Sequence, residues 1–321
     1  MKLPLPKLPP KAAYLILSNP ERRHALSLPV LRNLRDQLHS YTVSPVDGYP
    51  RLLPDFTPAT LDLLDEPQNK WLVDAETWRT ERAGLPHVLV LRTCLDSPGV
   101  FCSGHDLSEL QEQSSGKEIE QTFELCAEVM SLLRRFPGPV VSVVTGLATG
   151  AGAQLALSAD LPMACAKRAR FQLPGLSALG LPCTSPATAV SRRLGLGLGY
   201  RMFALGESVQ AYELPPSGSS NMEVVRGGTF AFEERVAVIV NKLATRIPAQ
   251  PQAFGKWAFW TQAGFGGGAG LEGVEAHAGR GDGYLEAAKW AAAVMARHAQ
   301  SEDAQEGVRA FLEKRAPKWR T

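Results

Sequence analysis

Short apolar runs alternate with helically spaced apolar positions along the first two hundred residues. Ala13-Tyr14-Leu15-Ile16-Leu17 is a run of the length and texture of a buried strand, and Asn19-Pro20 ends it. Ser27 then stands where a helix cap belongs, with Leu28, Leu31, Leu34 and Leu38 on one helical face. Residues 87–93 (HVLVLRT) form a continuous strand pattern of the kind buried on both sheet faces, followed by a turn at 97–99 and a short run at 100–102. Helical spacing of Ile119, Phe123, Cys126, Met130 and Leu133 predicts a helix over 117–136, which Pro137-Gly138-Pro139 stops. A strand follows at 140–144. A glycine-rich turn at 146–152 then opens a helix through Gln154, Leu155 and Leu157 that ends near Asp160, before a strand at 162–166. A strand–turn–strand–helix unit therefore recurs, which points to an α/β protein of stacked similar units rather than a bundle or sandwich. No tandem repeat of about 20–50 residues is visible in the letters themselves.

Two stretches break this rhythm. Across 41–86, Pro45, Pro50, Pro54, Pro58 and Pro67 punctuate the chain and periodicity fades, so the region reads as an insertion with one short helix near 75–82. Beyond Ser185-Pro186, a cap followed by a first-turn proline, the chain turns mostly helical. Residues 215–228 read as a loop and 264–283 as a glycine-rich one. Helices at 284–299 and 302–315 close the chain, the second starting at a Ser301 cap with Glu302 and Asp303 suiting the helix dipole.

Composition narrows the function classes. With 45% hydrophobic and 21% charged residues, the 321-residue chain can bury a sizeable core. Its 34 basic and 32 acidic residues balance to +2, which leaves no electrostatic footprint for nucleic acid or a membrane surface. No apolar run is long enough to span a bilayer. The five cysteines at 94, 102, 126, 165 and 183 include no CxxC pair, and the six histidines no HxxxH, so neither a disulfide framework nor a metal site is expected. Free thiols suit a reducing, intracellular compartment, mitochondrial or cytoplasmic. The Pro- and Lys-rich start lacks the apolar core of a secretory signal, and the last residues are not a peroxisomal address of the Ser-Lys-Leu type.

Three segments have the makings of a site: 100–107 (VFCSGHDL), 146–154 (GLATGAGAQ), and 170–175 (RFQLPG) running on to Gly180-Leu181-Pro182. In the second, small residues between a buried strand and a helix let backbone N–H groups approach a ligand closely, at a helix end that favours developing negative charge. That is how an oxyanion hole is built from backbone, and it is equally how a helix packs closely on a strand. Gly195-Leu196-Gly197-Leu198-Gly199 lacks the GxGxxG spacing and follows a helix, so no dinucleotide site is read there. Asp106 reads as the cap of the following turn, Trp257, Trp260 and Trp290 as helix packing, and Cys102 and Cys183 as thiols without a paired histidine.

Together these segments resemble the enoyl-CoA hydratase/isomerase (crotonase) family. The residues that carry the likeness are Asn19-Pro20-Glu21-Arg22-Arg23-His24-Ala25-Leu26-Ser27, Phe101 to Leu107, Gly146 to Asp160, and Phe311-Leu312-Glu313-Lys314-Arg315, in that order along the chain. The resemblance implies a ββα spiral core over 12–206, interrupted by the 41–86 insertion, and a C-terminal helical trimerisation region over 207–321. It implies an acyl-CoA thioester as partner, a homotrimer or hexamer, and no cofactor beyond the coenzyme A of the substrate. The amides of His105 and Ala151 would polarise the thioester carbonyl and stabilise an enolate. His24, Ala25, Leu26 and Lys314 would contact coenzyme A, Lys314 at its nucleotide end.

The departures from the family pattern are at its acid–base positions. Where hydratases carry two glutamates, this chain has Gln154 and Gly175, and no Asp or Glu lies between Asp160 and Glu207. An amide offers no exchangeable proton near neutral pH and glycine no side chain, so the usual hydration loses two groups commonly worth about 10²–10⁴-fold each. The resemblance thus leaves three readings: a family enzyme working through the oxyanion hole, with Gln154 beside it; a malonyl-type acyl-CoA decarboxylase, some of which share the Gly-His-Asp stretch; and a non-catalytic acyl-CoA-binding or assembly protein.

Overall fold

The computed structural model describes residues 5–94, 99–111, 114–181, 184–214, 222–263, 302–318 and, between 288 and 299, Ala288, Lys289, Ala292, Ala296 and Ala299. Its plan is a ββα unit repeated in space. In each unit the first strand joins one sheet and the second joins another. Strands β1 (Ala12–Leu17), β2 (Val88–Thr93), β4 (Val140–Val144), β6 (Leu161–Cys165) and β9 (Glu223–Val225) form a fully parallel five-stranded sheet in that order. Strands β3 (Val100–Cys102), β5 (Leu147–Thr149), β7 (Arg170–Gln172) and β8 (Ser208–Gln210) form the second, with only β8 antiparallel. The helices α1 (Leu28–Ser40), α4 (Gly116–Arg135), α5 (Ala151–Ser158) and α6 (Gly175–Leu179) complete successive turns. The first turn lacks a full second strand, but Leu26 supplies one residue of it through a parallel bridge to His105.

The period of two along a strand explains the continuous apolar runs. Leu89 and Leu91 of β2 and Val140 and Val144 of β4 face the interior of the spiral, with Leu31, Leu34 and Leu38 of α1. Val88, Val90, Val141 and Val143 point the other way, onto Phe232, Val236 and Val240 of α9 (Thr229–Thr245). Both faces are covered, so apolar residues dominate both, and the buried polar exceptions are bonded: Ser142 donates to the Ala156 carbonyl and Arg92 pairs with Glu233.

The 41–86 region has more structure than the single expected helix. A 3₁₀ turn (Pro58–Leu63) and α2 (Lys70–Val73) precede α3 (Ala75–Glu81), which Asp74 caps by accepting the Thr77 N–H at 2.8 Å. Leu53, Phe56, Trp71, Leu72 and Trp78 form a satellite core with Ala253 and Trp257 of α10 (Ala249–Ala263). Trp257 thus packs as expected, and Trp290 lies outside the described residues. Helix α10 is further tied to the spiral by buried Lys256. Its ammonium bonds Asp160 Oδ2 at 2.7 Å and the carbonyls of Phe136 and Gly138 at 3.0 and 2.9 Å.

Four sequence expectations need correction. Ser27 occupies the cap position of α1 but makes no side-chain capping bond; Glu109 accepts the Leu28 N–H instead, at 2.8 Å. The turn at 146–152 contains a strand, β5, and the 215–228 loop contains β9, because each pairs with a strand too distant in sequence for local pattern to register. The sheets also take in β8 and β9, beyond residue 206. After α7 (Thr184–Leu194) and α8 (Leu196–Leu205), the closing helix α11 (Glu302–Leu312) packs on α6 and on the 3₁₀ turn 107–110 of its own chain. Gly307 lies so near Leu179 that a Cβ there would collide with the Leu179 carbonyl. Ala288, Ala292, Ala296 and Ala299 are helical and buried; the rest of 284–299, the Ser301 cap and the stretch 264–283 lie outside the described residues.

Candidate active site

Strands β3 and β5 run parallel, with Cys102 opposite Ala148, so the turns leaving their C-terminal ends meet. Gly104, at φ 89°, and Gly150, at φ 54°, make the two bends. A Cβ on Gly104 would stand 3.1 Å from the Thr149 carbonyl oxygen and 3.7 Å from the Ala151 nitrogen, which measures how closely the turns abut. The positive φ falls on Gly150, not on Ala151, which is the first residue of α5 and adopts no left-handed conformation. Alanine at 151 therefore keeps its N–H without backbone strain.

Two backbone donors come together here unspent. Among the described residues the N–H groups of His105 and Ala151 have no hydrogen-bond partner. Their neighbours do: Gly150 N–H donates to the Gln172 carbonyl at 2.9 Å, and Asp106 N–H to the Leu26 carbonyl at 3.3 Å. Ala151 is 4% exposed at the N-terminus of a buried helix, where the helix dipole adds to the N–H groups. The arrangement can stabilise negative charge on an oxygen placed between the two turns.

Around this pair the other sequence-derived candidates have defined places. The His105 imidazole packs edge-on to Phe123, with ring centroids 4.8 Å apart. Burial pushes it down to about 4, against a smaller opposing effect of the Leu26 backbone, so the ring is neutral at pH 7. Asp106 caps the next turn, accepting from the Ser108 N–H and hydroxyl at 3.0 and 2.7 Å. Burial pushes the Cys102 thiol up to about 12, which removes it as a nucleophile. Cys183 lies outside the described residues.

Gln154 is 1% exposed, and its Oε1 accepts the backbone N–H of Ala189 in α7 at 3.0 Å. Gly175 is buried as the first residue of α6, and its carbonyl accepts the Leu181 N–H at 3.1 Å. His24, Ala25 and Leu26 are buried and lie beside residues 103–106 through the Leu26–His105 bridge. Lys314, exposed just beyond α11 at φ 55°, makes no ion pair among the described residues. No group of three or more His, Cys, Asp or Glu among the described residues could hold a metal ion, and no described helix is long and apolar enough to cross a membrane.

Sequence reasoning missed the lacing of residues 19–26 onto 103–106 and the role of Glu109, which ties the turn after His105 to the start of α1. Asn19-Pro20 reads in the sequence as a strand ending and 19–27 as a family-like stretch, and neither reading shows which residues the loop meets.

A two-sheet ββα spiral with a pair of unspent amides at one end defines a class. The family model described as enoyl-CoA hydratase/isomerase matches residues 86–256, more than half of the chain, which belongs to that family. The rat protein named enoyl-CoA hydratase domain-containing protein 3, mitochondrial, is 30% identical over 306 residues, covering 95% of this chain and 80% of its own. The crystal structure of human enoyl-coenzyme A hydratase domain-containing protein 3 superposes with a TM-score of 0.58 at 27% identity, covering 98% of both chains. That of an enoyl-CoA hydratase from Mycobacterium smegmatis gives 0.57 at 29%, covering 97% of this chain and 95% of that one.

Proposed function

We propose that the chain binds acyl-CoA thioesters and stabilises a thioester enolate between the amides of His105 and Ala151. The observation that supports this is the pair of N–H groups left unspent on two abutting turns, one of them at a helix N-terminus. In such a site the carbonyl oxygen gains charge as the enolate forms, and each donor is worth about 3–4 kcal/mol in that state. The segment 24–26, beside His105, and Lys314 contact coenzyme A in this reading.

Hydration is not the reaction this site favours. The Gln154 side chain is a neutral amide with its oxygen spent on Ala189, and residue 175 has no side chain. Loss of carbon dioxide from a malonyl-type thioester needs neither group. The C–C bond electrons pass into the enolate, carbon dioxide leaves, and the enolate takes a proton from water. A panel of saturated, unsaturated and malonyl-type acyl-CoA thioesters, assayed for binding and turnover, tests this. Binding of thioesters with decarboxylation and little hydration is expected. Rapid hydration of crotonyl-CoA by the unmodified protein overturns the reaction assigned, and absence of binding overturns the reading as a whole.

We carry over two further expectations. Several relatives are named as mitochondrial, which supports a mitochondrial location over a cytoplasmic one, testable by fractionating cells that express the tagged full chain. Assembly as a trimer or hexamer would give a solution mass of three or six times 34.7 kDa by light scattering; a single-chain mass refutes it.

A further inference from the structure

The unspent His105 amide lies in a stretch whose other backbone groups are held from one side. Ser103 N–H donates to the Arg23 carbonyl at 3.2 Å and Ser103 Oγ to the Arg22 carbonyl at 3.2 Å. Gly104 accepts from the Leu26 N–H at 2.8 Å, and Asp106 N–H donates to the Leu26 carbonyl at 3.3 Å. Residues 103, 104 and 106 are thus pinned to a loop spanning 22–26, and 105 is skipped. The Gly104 carbonyl and the His105 N–H share one peptide plane, so the Leu26 N–H that holds this carbonyl also sets the direction of the His105 N–H, and the bond from the Asp106 N–H to Leu26 fixes the plane that follows.

The loop that does the pinning has an improbable backbone. Arg23 and His24 are consecutive non-glycine residues at φ 52° and 57°, and single residues of that kind ordinarily cost about 1–2 kcal/mol. Asn19 holds them there. Its carbonyl accepts the N–H groups of Arg22 and His24 at 3.2 and 2.7 Å, and its N–H donates to His24 Nδ1 at 3.1 Å. Its side-chain Nδ2 donates to the Ala25 carbonyl at 3.1 Å, the one bond that depends on residue 19 being asparagine.

We propose that Asn19 is a positioning residue for the His105 amide: its side chain closes the 19–25 loop that pins residues 103, 104 and 106 and so aims the N–H between them. The proposal rests on the oxyanion reading above and deepens it.

The test reads the carbonyl itself. Butyryl-CoA labelled with ¹³C at the thioester carbonyl is bound to the full-length protein and its C=O stretch recorded by difference infrared spectroscopy. The wild type is expected to shift the band to lower frequency. Asn19→Ala and the near-isosteric Asn19→Asp, whose carboxylate cannot donate to the Ala25 carbonyl, are each expected to lose at least about half of that shift, recorded at saturating ligand so that a change in coenzyme A affinity through segment 24–26 does not enter the readout. Where a thioester is turned over, kcat at saturating substrate falls by up to about 10²-fold. Leu72→Ala, in the satellite core, is the control for general destabilisation and should keep the full shift. A normal shift in either Asn19 variant overturns the proposal and leaves the oxyanion reading standing; no shift in the wild type overturns that reading instead. If Asn19→Ala is not recovered folded, Asn19→Asp decides alone, and a Leu72→Ala variant that loses the shift equally also overturns the proposal.

Discussion

Gly152 rests directly against Cys102. A Cβ built on Gly152 would come within 2.6 Å of Cys102 Cβ and of its carbonyl oxygen, and 2.7 Å from Sγ. The second residue of α5 thus sits on the last residue of β3, and this contact sets how far the Ala151 amide stands from the turn that carries His105.

Gly152→Ala is therefore expected to destabilise the fold by about 1–3 kcal/mol, as overpacking of a tight core does, and to weaken thioester binding together with stability. Urea unfolding and acyl-CoA titration of the same sample check it. A variant as stable as the wild type would mean that α5 can retreat from β3 at no cost.

Ala151→Pro removes one donor and little else. The position is the first of α5, where proline is well accepted, and the N–H it deletes has no partner among the described residues. The variant should fold and lose about 10²–10³-fold in turnover, whereas His105→Ala should retain the backbone donor and lose far less. A folded Ala151→Pro protein with full activity contradicts the assignment of that amide.

Gln154 is tied to α7, which bears on attempts to restore hydration. Gln154→Ala removes the buried bond that ties α5 to α7 and should cost about 0.5–1.5 kcal/mol. Gln154→Glu keeps an acceptor but buries a charge with one oxygen already engaged. Its gain in crotonyl-CoA hydration is expected to stay below about tenfold, under the range of a freely placed general acid–base group. Loss of enoyl-thioester absorbance measures it, and a larger gain would show that residue 154 can turn to the thioester.

The Lys256–Asp160 pair joins α10 to the spiral with both side chains nearly buried, at 7% and 11% exposure. Lys256→Met leaves the Asp160 carboxylate with the N–H donors of Val140 and Trp260 but without its counter-charge and should cost about 3–5 kcal/mol, while Lys256→Met combined with Asp160→Asn should cost distinctly less. Thermal unfolding of both variants decides it; equal losses would mean the two charges do not compensate one another.

Acid should destabilise the protein in part through His105. With its pKa lowered by burial to about 4, the folded state stays unprotonated between about pH 6.5 and 4, while the unfolded chain takes up the proton. The unfolded state then binds more protons, so stability is lost as pH falls through that window. His87, also held near 4 by burial and then by Lys11 and Arg82, acts in the same direction. His105→Asn keeps the backbone amide and should shrink the stability difference measured by urea unfolding between about pH 7.5 and 5. An unchanged difference would place the His105 ring in contact with solvent.

The amino-acid sequence by itself determined the parts of this protein that depend on neighbours along the chain. Continuous apolar runs such as 88–93 and 140–144 specified strands covered on both faces, and the spacing of Ile119, Phe123, Cys126, Met130 and Leu133 specified α4, all five of which are buried. The order of its motifs pointed to the family. What only the tertiary structure decided is which polar group meets which. Glu109 displaces Ser27 as the cap of α1; Gln154 spends its oxygen on Ala189, 35 residues away; and the 41–86 stretch finds its partner in α10. The same holds for the His105 and Ala151 amides, whose availability follows from Leu26 and Gln172 engaging the groups beside them. Periodicity reports burial, which is a property of one segment against an averaged interior. A hydrogen bond is short and directional, and its partner is set by segments that become neighbours only when the spiral closes.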